Sequence, residues 1–236
     1  MGHSSLFNFD YLISKEKQGF FLIGIDEVGR GALAGPVISC AFTWKKKITK
    51  EINDPLLLQI NDSKKLNSKI RNEIFNIISK YGCFGLGYAS VLEIEKLNIL
   101  NATFLSMKRA FDSLLEKLMN GKKRLLFSRL QSYLLIDGNK KNPYIKCPQT
   151  AIIDGDEKSS LIAAASIVAK VYRDTLMEKI SRLESNKKYS WQTNVGYGTK
   201  HHKKTIKDYG LTPFHRKLFV RKILEEETIA QQKISL

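Results

Sequence analysis

Three short apolar runs in this chain each end in acids. Phe20 to Ile25 runs into Asp26-Glu27, Tyr133 to Ile136 into Asp137-Gly138, and Thr150 to Ile153 into Asp154-Gly155-Asp156. Runs of this length, bounded by glycine-containing turns, read as buried strands. In α/β sheets, sites are built just past the carboxyl ends of strands. Carboxylates gathered at one such end repel one another, and divalent cations would neutralise them. Two cations in such a cage suit phosphoryl transfer: one activates water and the other stabilises the leaving oxygen. One difficulty is geometric. Neighbouring side chains on a strand point to opposite faces, so Asp26 and Glu27 are expected to share a site through a bend at Gly29 or Gly31.

The turn after the first acidic pair, Gly29-Arg30-Gly31, also fits a loose Gly29-x-Gly31-x-x-Ala34 dinucleotide fingerprint. That motif needs a following helix, whereas Pro36-Val37-Ile38 reads as a strand, and two upstream acids would repel a pyrophosphate. The turn reads instead as backbone that closely approaches a sugar-phosphate, with Arg30 near phosphate. A purely structural tight turn is the plainer alternative.

Charge supports a polyanionic partner. Among 236 residues, 39 Lys and Arg stand against 23 Asp and Glu, a formal +16, which favours nucleic acid or an acidic membrane surface unless the proteome is simply Lys-rich. No apolar run reaches the roughly 18 residues that span a bilayer. The N-terminus has neither a secretory pattern nor a myristoylation site, since Leu6 stands where Ser or Thr is needed. Cys40, Cys83 and Cys147 are odd in number and widely spaced, as expected of buried thiols in a reducing compartment. A cytoplasmic protein is expected.

Further strands are predicted over residues 36–42 and 81–91. Helices are predicted from Asp62-Lys65 through Ile78, from Glu93 to Met119 with a break near Asn98, and from Ser159 or Ser160 to about Leu183. Either serine can cap the last of these. The Lys45-Lys46-Lys47 run reads as a hairpin end, residues 121–131 as a basic loop, and residues 194–199 as a glycine-punctuated loop before a basic helical tail. This alternation predicts an α/β domain with a partly antiparallel sheet and a helical C-terminal extension. The division is placed at 19–199 for the catalytic domain and 200–236 for the extension packed on it.

The motif Asp26-Glu27-Val28-Gly29-Arg30-Gly31, followed by Leu33-Ala34-Gly35-Pro36-Val37, resembles the opening block of bacterial ribonuclease HII. The resemblance continues through Asp62-Ser63-Lys64-Lys65-Leu66, Asn98 to Thr103, Ile136 to Asn139, Gly155-Asp156 and Ile162 to Val171. It closes with Gly196-Tyr197-Gly198-Thr199, Thr212-Pro213 and His215-Arg216. It implies a ribonuclease H-like fold, a mixed central sheet flanked by helices. It implies an endoribonuclease acting on RNA/DNA hybrids and incising 5′ to single ribonucleotides in duplex DNA, in ribonucleotide excision repair. The products would carry 3′-hydroxyl and 5′-phosphate ends, and the cofactor would be Mg²⁺ or Mn²⁺ at a two-metal site. By motif, Asp26, Glu27, Asp137 and Asp156 would be the metal-holding, catalytic carboxylates. Gly29, Arg30 and Gly31 would read the 2′-hydroxyl, the group that tells RNA from DNA. Ser63 and Lys64 would contact the backbone, and Tyr197 would stack on the deoxyribose beyond the junction. Ala32 stands where the family commonly has proline, and Asp154 could compete with Asp156 as a ligand. The expected partners are RNA/DNA hybrid and ribonucleotide-containing duplex, with no membrane and a monomeric enzyme.

Residues 200–222 hold Lys200, Lys203, Lys204, Lys207, Arg216, Lys217, Arg221 and Lys222 against Asp208 alone, and read as a phosphate-tracking surface. His201, His202 and His215 lie among them without a zinc-like spacing and read as surface groups. Phe104 and Phe111 read as core, and Ser166 as part of a small-residue packing face. Two rivals stay open: a non-catalytic duplex-binding protein, and another nuclease or strand-transfer enzyme of the same superfamily. Asp26→Asn separates the first, because an enzyme would lose cleavage while keeping binding.

Overall fold

The structure, a computed structural model, describes residues 5–45, 57, 60, 68–120, 131–221 and 225. The readings that fall on Lys46, Lys47, Asp62 to Leu66 (Ser63 and Lys64 included), residues 121–130, Lys222 and the final stretch from Leu224 lie outside the described residues, apart from residue 225. The strands are β1 (Phe21–Val28), β2 (Val37–Trp44), β3 (Gly82–Ala89), β4 (Ser132–Asp137) and β5 (Gln149–Ile152). They form one sheet in the order β3-β2-β1-β4-β5. β1 runs antiparallel to β2 and parallel to β4, which is parallel to β5. The sheet is therefore mixed, as expected.

The helices are α1 (Ser5–Glu16), α2 (Ser68–Tyr81), α3 (Val91–Leu97), α4 (Ile99–Met119), α5 (Ser160–Ser181), α6 (Trp191–Asn194) and α7 (Lys200–Tyr209). The break near Asn98 has a clear cause. Asn98 sits at φ 67°, ends α3, and its Oδ1 accepts from the N–H groups of Leu100 and Asn101, starting α4. At the other end of α3, Ser90 and Glu93 form a reciprocal capping box. Ser159 is the serine that caps α5, its Oγ accepting from Ile162 N–H at 3.3 Å.

By packing, the chain gathers into two compact units. One comprises Met1–Val28, Ile38–Tyr88 and Thr103–Tyr172; the other comprises Gly29–Val37, Ala89–Ala102 and Arg173–Leu236.

The first unit holds the sheet and its main core. Every residue of β2 is buried, as befits a central strand covered on both faces. Ala163, Ala164, Ala165, Ile167, Val168 and Ala169 of α5 are all fully buried in the same core as Cys40, Phe42 and Leu135. Their small side chains let α5 lie close on the sheet. At Gly24 of β1, a Cβ would run into the backbone of Leu161 and Ile162, so only glycine fits this approach. Truncating a buried residue such as Ile25 to alanine should cost about 2–5 kcal/mol. Of the three thiols, Cys40 is buried while Cys83 and Cys147 are partly exposed.

Helix α1 was not anticipated. It buries Leu6, Phe7 and Asp10, and the acid interrupts the apolar stripe that would have marked it in sequence. Asp10 reaches the start of α5, accepting from the hydroxyls of Ser159 and Ser160 at 2.6 and 2.5 Å and from Leu161 N–H at 3.1 Å. An acid from elsewhere in the chain thus supplements the cap on α5, where the helix dipole favours negative charge.

The second unit has its own core of Leu33, Ala34, Met177, Tyr189, Trp191, Ile206 and Val220. The loop after Gly29 is strapped within it. Leu33 and Ala34 N–H donate to Gly196 C=O, Gly35 N–H to Phe214 C=O, and Arg216 N–H to Leu33 C=O.

Candidate active site

β1 and β4 are neighbouring parallel strands that end at the same edge, with Ile25 opposite Ile136. That register delivers Asp26, Glu27 and Asp137 together. Each offers a carboxylate oxygen, and these oxygens lie within 4.8 Å of one another. Asp26 is buried, at 5% exposure, while Glu27 and Asp137 are partly exposed.

The expected bend is not how Asp26 and Glu27 meet. β1 stays paired with β2 through Glu27 opposite Ser39 and Val28 opposite Ile38. Instead, the Asp26 carboxylate folds along its own strand, its Oδ1 accepting from Glu27 N–H at 2.7 Å. A short side chain that turns back on the next amide needs no kink in the backbone.

Burial raises the Asp26 carboxyl well above the usual carboxylate range, and the charges of Glu27 and Asp137 push it further the same way. A hydrogen bond from the Ser166 hydroxyl opposes that shift. Ser166 thus touches the site, which the packing reading of α5 missed. A hydroxyl on an otherwise apolar helical face was the available signal. Asp137 is anchored by Gly155 N–H, which donates to its Oδ1 at 2.7 Å.

Asp156 is buried in the short 3₁₀ turn Gly155–Glu157 after β5. It is not among the three carboxylates gathered within 4.8 Å. Its rival Asp154 is exposed and sits in the left-handed region at φ 52°. Of the two acids, Asp156 is thus the inward one, adjacent to the glycine that anchors Asp137.

The three clustered carboxylates suit a hard divalent cation that takes oxygen ligands. The strongly raised Asp26 is an independent sign of this. The cage concentrates more negative charge than it can hold ionised, and a cation would relieve it. Asp26, Glu27 and Asp137 would hold the metal.

In the second unit, Gly29 is buried at φ 94°, whereas Arg30 and Gly31 are exposed. Tyr197 is partly buried, its ring 5.4 Å from the Arg173 guanidinium carbon. Two readings of the basic region need correction. Arg216 is fully buried and bonds to backbone carbonyls, so it cannot lie on a phosphate-tracking surface. His202 and His215 are likewise buried, at 0% and 1% exposure. His202 Nε2 accepts from Trp191 Nε1–H at 3.0 Å and lies 3.2 Å from His215 Nε2. Because His215 Nδ1 accepts from Thr212 N–H, its proton sits on Nε2 and points at His202. His202 then carries its own proton on Nδ1 and donates to Tyr197 C=O at 2.9 Å. The aromatic residues Tyr189 and Trp191 enclose both rings, a setting that spacing along the chain did not reveal. His201 alone is exposed.

A mixed five-stranded sheet with acids at the ends of its parallel central strands is a ribonuclease H-like fold. Solved structures share it. The ribonuclease H2 of Pyrococcus horikoshii aligns with TM-score 0.58 at 22% identity, over 87% of this chain and 97% of that one. Bst-RNase HIII in complex with Mn²⁺ aligns with TM-score 0.64 at 18% identity, over 91% and 72%. Sequence narrows the class. A model of the family described as Ribonuclease HII matches residues 23–222. A ribonuclease HII from Fusobacterium nucleatum is 45% identical over 207 residues, 87% of this chain and 88% of that protein. The chain belongs to the ribonuclease HII family. It is a metal-dependent ribonuclease, a hydrolase that cleaves the RNA strand of RNA/DNA hybrids.

Proposed function

We propose that this enzyme also incises duplex DNA 5′ to a single embedded ribonucleotide, leaving 3′-hydroxyl and 5′-phosphate ends, and so acts in ribonucleotide excision repair. The observation that carries the reading is the gathering of Asp26, Glu27 and Asp137 within 4.8 Å, one residue upstream of the Gly29-Arg30-Gly31 turn. Asp156 joins them as the fourth carboxylate. Bound Mg²⁺ or Mn²⁺, two ions in this reading, would supply Lewis acidity for the attacking water and the leaving oxygen. The chain's own residues set the stage. Ser166 and the Glu27 amide orient the Asp26 carboxylate, and Gly155 orients Asp137.

The two glycines of the turn differ in a way that supports recognition of a ribose. A Cβ on Gly29 would enter the Arg173 guanidinium, and its positive φ already disfavours other residues, so the fold itself demands this glycine. A Cβ on Gly31 would meet nothing within 4 Å, and its φ is ordinary. Glycine there serves an approach from outside the chain. Exposed Arg30 pairs with phosphate, and Tyr197 packs on the sugar beyond the junction. Ser63 and Lys64 contact the backbone.

The decisive experiment is cleavage of a labelled DNA duplex carrying one ribonucleotide, with Mg²⁺, Mn²⁺ and chelator in parallel. A product ending just 5′ of that ribonucleotide, absent in chelator, is expected. Cleavage of long hybrids without incision of this duplex would refute the single-ribonucleotide reading.

A further inference from the structure

Two arginines hold the loop after Gly29 from the inside, and neither has a carboxylate partner among the described residues. Arg173 and Arg216 are both 0% exposed. Arg173 donates from Nε to Pro36 C=O at 3.1 Å, from Nη2 to Ala34 C=O at 3.0 Å and from Nη1 to Val195 C=O at 2.8 Å. Arg216 donates from Nε and Nη2 to Gly35 C=O at 2.9 and 2.8 Å, and from Nη1 to Arg30 C=O at 2.9 Å. The six bonds fix the loop at Arg30 and at three successive residues, 34 to 36, and tie Arg173 to the residue before Gly196.

Neutral donors would satisfy these carbonyls without the cost of burying charge, which amounts to several kcal/mol per ion. Burial lowers both guanidiniums from their ordinary range. For Arg216, the neighbouring Arg173 adds to the effect and brings it to about 9. Two like charges packed beneath one loop are a persistent source of positive potential. That potential is directed at whatever anion the loop meets.

We propose that Arg173 and Arg216 are positioning residues, a guanidinium clamp that holds the Gly29–Pro36 loop in its substrate-ready shape and draws the substrate phosphodiester onto the turn. The clamp explains why Gly29 is demanded by the fold: the Arg173 side chain occupies the space where a Cβ would stand. It also gives Arg216 a role in substrate binding without any contact to phosphate. The proposal rests on the reading that the Gly29-Arg30-Gly31 turn meets the ribonucleotide.

The test uses Arg216→Met, Arg173→Met, Arg216→Lys and Gly31→Ala. Binding is measured by fluorescence anisotropy in chelator, on a duplex with one ribonucleotide and on the all-DNA duplex. Thermal midpoints and Mn²⁺ binding are recorded alongside. Each Met variant should weaken binding to the ribonucleotide duplex at least 10-fold and lower its preference over all-DNA duplex, with Mn²⁺ binding unchanged. Arg216→Lys keeps the charge but cannot span two carbonyls as a fork, so it should lose preference with little change in midpoint. It carries the test if the Met variants fail to fold. Unchanged preference in Arg216→Lys, or an equal loss on both duplexes that tracks the thermal midpoint, overturns the clamp. If Gly31→Ala leaves preference intact, the underlying reading of the turn fails. If Gly31→Ala abolishes it while the arginine variants do not, only the clamp fails.

Discussion

The Ser166 hydroxyl of α5 donates a hydrogen bond to the Asp26 carboxylate of β1, the most buried acid of the metal cage. A partner that orients a metal-binding carboxylate typically governs metal affinity by 10–100-fold. Ser166→Ala should therefore raise the Mg²⁺ concentration for half-maximal cleavage by about 10-fold or more. The fold should tolerate the change, since neighbouring positions in α5 are already alanine. Metal titrations at fixed substrate check this. An unchanged half-saturation would show that the hydroxyl only fills space.

Asp10 links α1 to the start of α5, and burial raises its pKa to about 6 despite the hydrogen bonds from Ser159, Ser160 and Leu161. The folded-state value lies above the ordinary 3.8, so folding takes up a proton between the two. The stabilisation is full below about pH 4 and is lost as pH rises through about 6. At about 1.4 kcal/mol per unit, the swing is on the order of 3 kcal/mol. Urea unfolding of wild type and Asp10→Asn at pH 4, 5, 6 and 7 isolates it. The stability of wild type relative to the variant should fall across that range, and a flat difference would contradict the argument.

How much of this was legible in the chain depends on the range over which each signal acts. Strand ends, the Asn98 break and the α5 cap are set by neighbouring residues, so they appeared in sequence within a few positions. The sheet register that joins Asp26 to Asp137 is long-range, and it was reachable because both acids terminate apolar runs. Arg216, His202 and His215 were misread because local composition is basic and polar there. Only tertiary packing shows that Trp191 and Tyr189 bury the histidines and that loop carbonyls absorb the arginine. Helix α1 was missed for a related reason: its buried Asp10 finds its partners about 150 residues away.

The His202–His215 pair predicts acid sensitivity in the second unit. Burial lowers both imidazoles, and His202 adds to the effect on His215, which falls to about 4. These values lie below the ordinary 6.5, so the stabilisation is present above pH 6.5 and lost as pH falls toward 4. The tautomers give the structural reason. A second proton on His202 Nε2 would face the N–H groups of Trp191 and His215. In a Trp44→Phe background, Trp191 is the remaining indole and reports on this unit. Its emission should shift to the red between pH 6.5 and 4, and His215→Gln should flatten that transition. A spectrum constant over the range would exclude the coupling.

Salt dependence tests the basic surface with Arg216 removed from it. Lys200, Lys204, Lys207, Lys217 and Arg221 are exposed and Lys203 is partly so, but Lys204 is held by Asp208 at 2.6 Å. Exposed cations that neutralise phosphates release counterions, and each such contact adds about 0.9 to the slope of log affinity against log salt. Lys200 and Lys207 stand at opposite ends of α7, away from the buried Thr205 and Ile206. Replacing either with alanine should lower the slope by about 1 while leaving the preference for a ribonucleotide duplex intact, because phosphate contacts carry no such information. Lys204→Ala should change the slope least, since the carboxylate already competes for that ammonium. Anisotropy titrations between 50 and 300 mM KCl (roughly the range over which such slopes are measured) read all three variants together. If none of the three alters the slope, substrate is tracked by another face of the protein.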